Sequence, residues 1–277
     1  MKFKFSIFIS LMLICLVLIS VGFVYLVDIS DSPRLVSQAT KQGCKTFDST
    51  PAIDVSQPLN IAVWNVYKLQ KGNWQSEIKK LQSKNTIMLL QEAVDSKTLL
   101  NLFQPQGWSA EQAYAFSFSN QIAGVMTVSK PSPEQVCAFN QAEPLLPFPK
   151  TALLSMYRLS NQQQLAVVNI HSVNFTLDLD VFKGQISNIL DYMQNFDGPI
   201  IFAGDFNTWD QRRLALLKNE FAQFDLQQVK FSPDERLTVF NAPLDHIFYR
   251  GFTLKEARSQ STSASDHAWL EASFTFN

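Results

Sequence analysis

Short apolar runs recur along the chain, and several of them end in a side chain able to do chemistry. "LNIAVWNV" (59–66), "TIMLLQE" (86–92), "IAGVMTVS" (122–129), "ALLSMYRL" (152–159), "LAVVNIHS" (165–172) and "PIIFAGDF" (199–206) are rich in branched and apolar residues. Runs of this length predict strands buried on both faces. Between them lie segments of helical period. In 178–195, Leu179, Phe182, Ile186, Ile189, Leu190 and Met193 form one stripe,. Helices are also expected near 74–83, near 95–103 and in "WDQRRLALLKNEF" (209–221). "DHIFYR", "FTLKEAR" and "HAWLEASFTF" end the chain as short strands. So many consecutive strands do not suit a simple doubly wound parallel sheet. The expected fold class is α/β, with two mixed β-sheets packed face to face and helices outside, a four-layer sandwich.

The first 27 residues stand apart. "MKFK" carries two lysines, and then no charge occurs from Phe5 to Val27. A run of this length suffices to cross a hydrocarbon core of roughly 30 Å. Tyr25, Leu26 and Val27 make a poor signal-peptidase site, so we read an uncleaved N-terminal transmembrane helix over 1–27,. A cleaved signal peptide is the alternative. Lys2 and Lys4 place the N-terminus in the cytoplasm and the rest beyond a bacterial inner membrane,. Residues 28–58, broken by Pro33, Gly43, Pro51 and Pro58, read as a tether, and 59–277 as one catalytic domain,. The Pro-rich stretch 130–150 reads as a long surface loop. Cys44 and Cys137 can pair in an oxidising compartment, or remain two thiols,.

Net charge of −1 gives no bulk attraction to polyanions, and 17% charged residues with 46% hydrophobic exclude a disordered chain,. Chemistry therefore rests on particular side chains. Asn65 and Glu92 close the first two strands, and His171 closes "LAVVNIH". Asp205 and Asn207 follow the Ile200 strand, Asp245 opens "DHIFYR", and Asp266 and His267 precede the last strand. One such residue would be a turn or cap. Six strands behaving alike would bury many polar groups at a cost of several kcal/mol unless they met each other, an ion or a substrate. Carboxylates and amides suit Mg²⁺ or Mn²⁺, and histidines with acidic neighbours suit proton transfer and anion binding. The set fits phosphate-ester hydrolysis. Phosphate-binding Gly-rich loops with Lys, G-x-S-x-G and H-E-x-x-H are all absent from the sequence,.

"VWNV", "LLQE", "NIHS", "GDFN", "LDHIFY" and "SDH", in this order, resemble the endonuclease/exonuclease/phosphatase superfamily over residues 59–277. With the anchor, the chain resembles a small group of membrane-tethered bacterial members. The superfamily includes deoxyribonucleases, abasic-site endonucleases, neutral sphingomyelinases and inositol polyphosphate 5-phosphatases. The resemblance implies the same two-sheet sandwich, with a site where the strand ends meet. It implies Glu92 as the firmest metal ligand, with Asn65 and Asp266 beside it. Asp205 and Asn207 would orient water and phosphate, or hold a second metal. His267 would be general base or would stabilise phosphoryl oxygens, with Asp245 fixing its tautomer. As a base it would make the rate rise through about pH 6–7. His171 would donate to a phosphate oxygen, paired with an acid among Glu111, Glu134 and Glu143. His246 should face the other way by strand alternation.

The leading reading is a metal-dependent phosphodiesterase such as a nuclease. Alternatives are a phosphomonoesterase or phospholipid head-group hydrolase, and a non-catalytic binding module. Partners are a phosphate-ester substrate, nucleic acid or phospholipid head group, and the membrane through residues 5–27; no protein partner is expected. Lys68, Lys71, Lys79, Lys80 and Lys84, with Arg212 and Arg213, either contact phosphates or form solvated faces,.

Overall fold

The computed structural model describes residues 26–37, 43–48, 50–94 and 97–277. In chain order the strands are β1 (Val27–Ile29), β2 (Cys44–Thr46), β3 (Leu59–Asn65), β4 (Ile87–Val94), β5 (Ser109–Gln112), β6 (Phe116–Phe118), β7 (Gln121–Ser129), β8 (Gln135–Gln141), β9 (Lys150–Arg158), β10 (Gln164–His171) and β11 (Ile200–Asp205). They continue with β12 (Gln227–Gln228), β13 (Thr238–Val239), β14 (Ala242–Pro243), β15 (Asp245–Arg250), β16 (Phe252–Gln260) and β17 (Trp269–Phe276). The helices are α1 (Trp74–Gln82), α2 (Lys97–Phe103), α3 (Asp180–Tyr192) and α4 (Gln211–Ala222).

Two mixed sheets carry the fold. One runs β1-β6-β7-β4-β3-β17-β16 with β5 on β7, and the other β12-β15-β11-β10-β9-β8-β2. The parallel pairs β3–β4 and β10–β11 sit at their centres. Alternation along each central strand explains the layers. Ile61 and Val63 face Val167, Ile201, Ala203 and Ile247 in the core between the sheets. Their neighbours Ala62 and Trp64 turn outward to Ile78 and Phe103 of α1 and α2. On the other side, Ile200 and Phe202 turn outward to Ile189 and Phe221 of α3 and α4. A strand buried on both faces has no polar side, which is why these runs read as continuously apolar.

The segment 28–58 lies on the domain wherever it is described. Val27 and Ile29 pair with Phe118 and Phe116, and Cys44 pairs with Cys137. Leu35 and Ile53 are buried in hydrophobic clusters. Cys44 and Cys137 form a disulfide. The stretch 130–150 holds β8 with a buried Val136, Cys137 and Ala138, so it is a strand of the second sheet flanked by loops. Of the membrane helix expected over 1–27, residues 1–25 lie outside the described residues, and Val27 belongs to β1. Among the described residues no helix is long and apolar enough to cross a membrane.

Candidate active site

Strand alternation carries four polar residues to one end of the inter-sheet core. Asn65 continues the inward series Ile61, Val63; His171 continues Leu165, Val167; Asp205 continues Ile201, Ala203; and Asp245 precedes Ile247,. In the parallel β10–β11 pair His171 is registered against Asp205, and in the antiparallel β11–β15 pair Asp205 is registered against Asp245. Gly204 permits this closeness. Its φ is 147°, and a Cβ there would lie 2.0 Å from the Ile170 carbonyl oxygen,.

Glu92 breaks the alternation. Met88 and Leu90 face the outer helices, so a regular strand would send Glu92 outward as well,. The β4–β7 register instead shifts between Leu90 and Ala93, and Glu92 has φ 52°. This bulge turns the carboxylate into the same cavity as Asp266,. The cavity holds about 480 Å³, and Asn65, His171, Asp205, Asn207 and His267 line it too.

The "SDH" turn is pinned to β3. Ser265 Oγ donates to the Asn65 carbonyl at 2.7 Å and accepts the His267 N–H at 3.1 Å. Trp64 Nε1 donates to the His267 carbonyl at 3.2 Å. His267 is thereby aimed at the second sheet, where its Nδ1 donates to Asp245 Oδ2 at 2.8 Å. Burial opposes a charge on this ring, but Asp245, Asp205 and Asp266 outweigh it and push the pKa up to about 10,. The imidazole is thus a cation at neutral pH, which favours the charge-stabilising role over the free base. Asp205 accepts from Asn65 Nδ2 at 2.9 Å and lies 3.5 Å from His171 Nε2 and 3.9 Å from His267 Nε2. Burial, then the Asp245 charge, raises its carboxyl above the usual range, against His267 and Asn65,.

His171 departs from expectation. None of the three candidate acids touches its ring. Glu111 pairs with Lys45 and Ser37, and Glu134 with Arg158 and Gln164. Glu143 accepts the backbone N–H groups of Asn174 and Phe175. The ring's partner is Lys150, whose Nζ donates to Nε2 at 2.8 Å. An ammonium has only hydrogens to offer, so Nε2 accepts and the ring proton sits on Nδ1. In this geometry Nε2 has no proton to offer a phosphate oxygen. Burial, then the Lys150 charge, holds the His171 pKa well below its ordinary value. Burial also lowers the Lys150 pKa, opposed by Asp205, Glu92 and Glu143. Lys150 was missed because it opens its strand behind a Pro-rich stretch and carries no motif.

Other positions are support. Asn207, at φ 50°, donates its N–H to Asp205 Oδ1 at 3.0 Å and its Nδ2 to the Ser172 carbonyl at 2.8 Å. Arg213 is 1% exposed and donates to the carbonyls of Val173, Asn174, Thr176 and Asn207. It is a clamp on two site loops, and Arg212 pairs with Asp210, so neither faces the cavity. Tyr67, Lys68 and Leu69 run at φ 49°, 53° and 60°, and this left-handed turn lays the Lys68 ammonium 2.6 Å from Glu92 Oε2. Lys80 pairs with Glu77 on α1. Below the site, Gln91 donates to Asn169 Oδ1 at 2.7 Å, a buried cross-link between the sheets. His246 faces away as expected, toward Phe206 and Phe248.

The donor set fits a hard divalent cation. Glu92 and Asp266 bring carboxylates to one cavity, and Glu92 already draws a positive partner in Lys68,. Asn65 lines it too, with its Oδ1 accepting the Tyr67 N–H at 3.1 Å. Asp205, Asp245 and His267 bring ligand atoms within 4.8 Å of one another, and Asp245 Oδ1 is buried without a partner among the described residues. Such an orphaned oxygen calls for positive charge or water.

A sequence profile of the Endonuclease/Exonuclease/phosphatase family matches residues 62–267. A UPF0294 protein of Vibrio parahaemolyticus is 37% identical, covering 93% of this chain and 94% of that protein. One from Vibrio cholerae is 40% identical over 86% of this chain and 87% of its own. Among solved structures, the human Nocturnin catalytic domain with bound sulfate anion aligns at TM-score 0.62, with 15% identity, covering 83% of this chain and 97% of its own. An endonuclease/exonuclease/phosphatase family protein from Leptotrichia buccalis aligns at TM-score 0.62, with 17% identity, over 79% of this chain and all of its own. D. rerio TDP2 complexed with single strand DNA product aligns at TM-score 0.54, with 16% identity, over 79% and 99%. At these identities the structures show the shared fold.

Proposed function

The chain belongs to the endonuclease/exonuclease/phosphatase family, and on that premise we propose that it is a divalent-metal-dependent phosphodiesterase, tethered to the membrane with its catalytic domain outside the cytoplasm. The observation that carries the activity is the convergence of Glu92, Asp266, Asn65, Asp205 and His267 on one cavity. Glu92, Asp266 and Asn65 would hold the metal, which when bound offsets charge on the phosphoryl oxygens. His267, kept cationic by Asp245, supplies an N–H to a phosphoryl oxygen from Nε2,. Asp205, whose raised pKa makes it a better base than an exposed carboxylate, orients water and takes its proton,. Asn207 holds Asp205 in place through its backbone N–H. Lys150 and Lys68 bring positive charge to the cavity wall where a phosphate would lie.

The tether rests on the uncharged run Phe5–Val27, and the Cys44–Cys137 disulfide supports an oxidising compartment,. The full-length chain in detergent, supplied with Mg²⁺ or Mn²⁺, should hydrolyse bis-p-nitrophenyl phosphate. Equal rates from wild type and His267→Ala would remove the reading. A nucleic-acid substrate has the support of the DNA product in the TDP2 structure, and plasmid cleavage tests it in the same assay.

A further inference from the structure

Eight large apolar side chains are exposed among the described residues, and five of them, Leu145, Leu146, Phe175, Leu177 and Phe240, belong to loops that contribute residues to the cavity wall. Leu146 and Phe175 line the mouth itself. Leu145, Leu177 and Phe240 stand beyond it at 75%, 81% and 82% exposure. Two more, Leu26 and Phe118, lie at the β1–β6 edge, whose Phe116 lines the cavity and packs on Phe148 at 4.5 Å. Only Tyr192 lies elsewhere. Scattered exposed apolar residues need no explanation, but their concentration on the loops that build one cavity does.

One of these loops is held from beneath. Arg213 binds the carbonyls of Val173, Asn174 and Thr176, and Glu143 binds the N–H groups of Asn174 and Phe175. The loop is thereby fixed from both sides with Phe175 and Leu177 outward. Phe240 sits at the tip of the β13–β14 hairpin at φ 48°, where bulky residues are rare, and Leu237 and Leu244 on its flanks line the cavity,. The sequence supplies the matching partner. The uncharged run Phe5–Val27 leads directly into β1, and β1 pairs with the strand that carries Phe116. Leu26 and Val27, where that run ends, therefore lie at the sheet edge that carries Phe116 and Phe118.

We propose that the rim docks on a lipid bilayer and that the substrate is the phosphodiester of a membrane phospholipid. This rests on the phosphodiesterase reading above. The bilayer face accounts for the apolar collar, and the phosphate enters the cavity, whose wall includes Lys68 and Lys150. Water bonds to phosphorus, the P–O bond to one alcohol breaks, and the water's proton passes to that alkoxide. The products are a phosphomonoester and an alcohol, one of which carries the acyl chains. A polynucleotide would ask for a basic track, whereas net charge is −1 and the rim is apolar,.

The test compares full-length wild type with the triple variant Leu145→Asp, Leu177→Asp, Phe240→Asp, whose changed residues do not line the cavity. Both are given Mg²⁺ and either bis-p-nitrophenyl phosphate or vesicles of phosphatidylethanolamine and phosphatidylglycerol. The expected result is wild-type release of a phosphomonoester or an alcohol head group from the vesicle lipid. In the variant that release falls at least about tenfold while the soluble diester rate stays within about twofold. Leu177→Trp, reconstituted in vesicles, should show blue-shifted emission quenched by brominated lipid. Hydrolysis of the soluble diester or plasmid without lipid turnover or quenching overturns the docking proposal and leaves the phosphodiesterase reading standing. No turnover of any ester fails that reading instead. Self-association in detergent that the triple variant abolishes, without quenching, assigns the rim to a second copy and overturns the lipid proposal.

Discussion

His267 and His171 both reach the Asp205 carboxylate, at 3.9 and 3.5 Å, yet they differ in protonation. Both are buried, and burial alone would leave both neutral,. His267 donates to Asp245 and is held as a cation; His171 accepts from Lys150 and is held neutral. Asp245, with Asp205 and Asp266, overrides burial at His267, whereas Lys150 and Lys68 reinforce it at His171. One carboxylate thus sits between an imidazolium and an imidazole, which gives the cavity a charge-stabilising side and a side whose cation is a lysine. The third histidine completes the contrast. His246 lies among aromatic rings with Arg236 nearby, and burial, then Arg236, lowers its pKa to about 3.

That third case offers the largest effect. The unfolded chain takes a proton on His246 below about pH 6.5, while the folded one resists until about pH 3,. The stability it contributes is complete above the unfolded pKa and is lost as pH falls through that window, by up to about 5 kcal/mol. Urea titrations of wild type and His246→Gln should show the variant with the shallower acid slope. Identical slopes would mean that His246 is not the neutral member.

Between the other two, His267→Ala should lower kcat on a soluble diester by about 10³-fold, the scale of losing a preorganised charge-stabilising donor. Asp245→Asn should approach it, since the cation loses its main support. A loss under about tenfold in both would break the assignment.

Lys150→Met should lower kcat by about tenfold, with KM changing less, and Lys150→Arg should restore part of it. Removing the ammonium should also raise the His171 pKa, measurable by NMR titration, because a neighbouring positive charge is gone while burial remains. An unmoved His171 would show that the two do not communicate.

The smallest effect is a near absence. With His267 already protonated, the rate should change less than about twofold between pH 6 and 7 and decline only as pH nears about 10, where the cation is lost,. A steep climb between pH 6 and 7 would favour the general base, the other of the two roles that the resemblance implies for His267.

Much of this arrangement was legible as periodicity. Apolar runs marked β3, β4, β10 and β11, and counting by twos from Ile61, Val167 and Ile201 places Asn65, His171 and Asp205 on the inner face,. The same count placed His246 away from the site, and the helical stripe foretold α3. The edge strands were not legible, because β1, β2 and β6 have only three residues each and read as broken polar chain or loop. β8 was hidden between prolines.

The sequence by itself determined the layered fold and the inventory of oxygen and imidazole donors at the strand ends, because burial on two faces and alternation on one are local properties of a strand. Tertiary structure alone decided that Glu92 turns inward at a bulge, that Lys150 rather than an acid meets His171, and that the apolar loops share one cavity. Each of those depends on a neighbour remote in the chain: the register of β7 against β4, the strand beside β10, and the buried Arg213 beneath a loop it does not belong to. Such pairings are set by packing in three dimensions, and local sequence carries no signal of them.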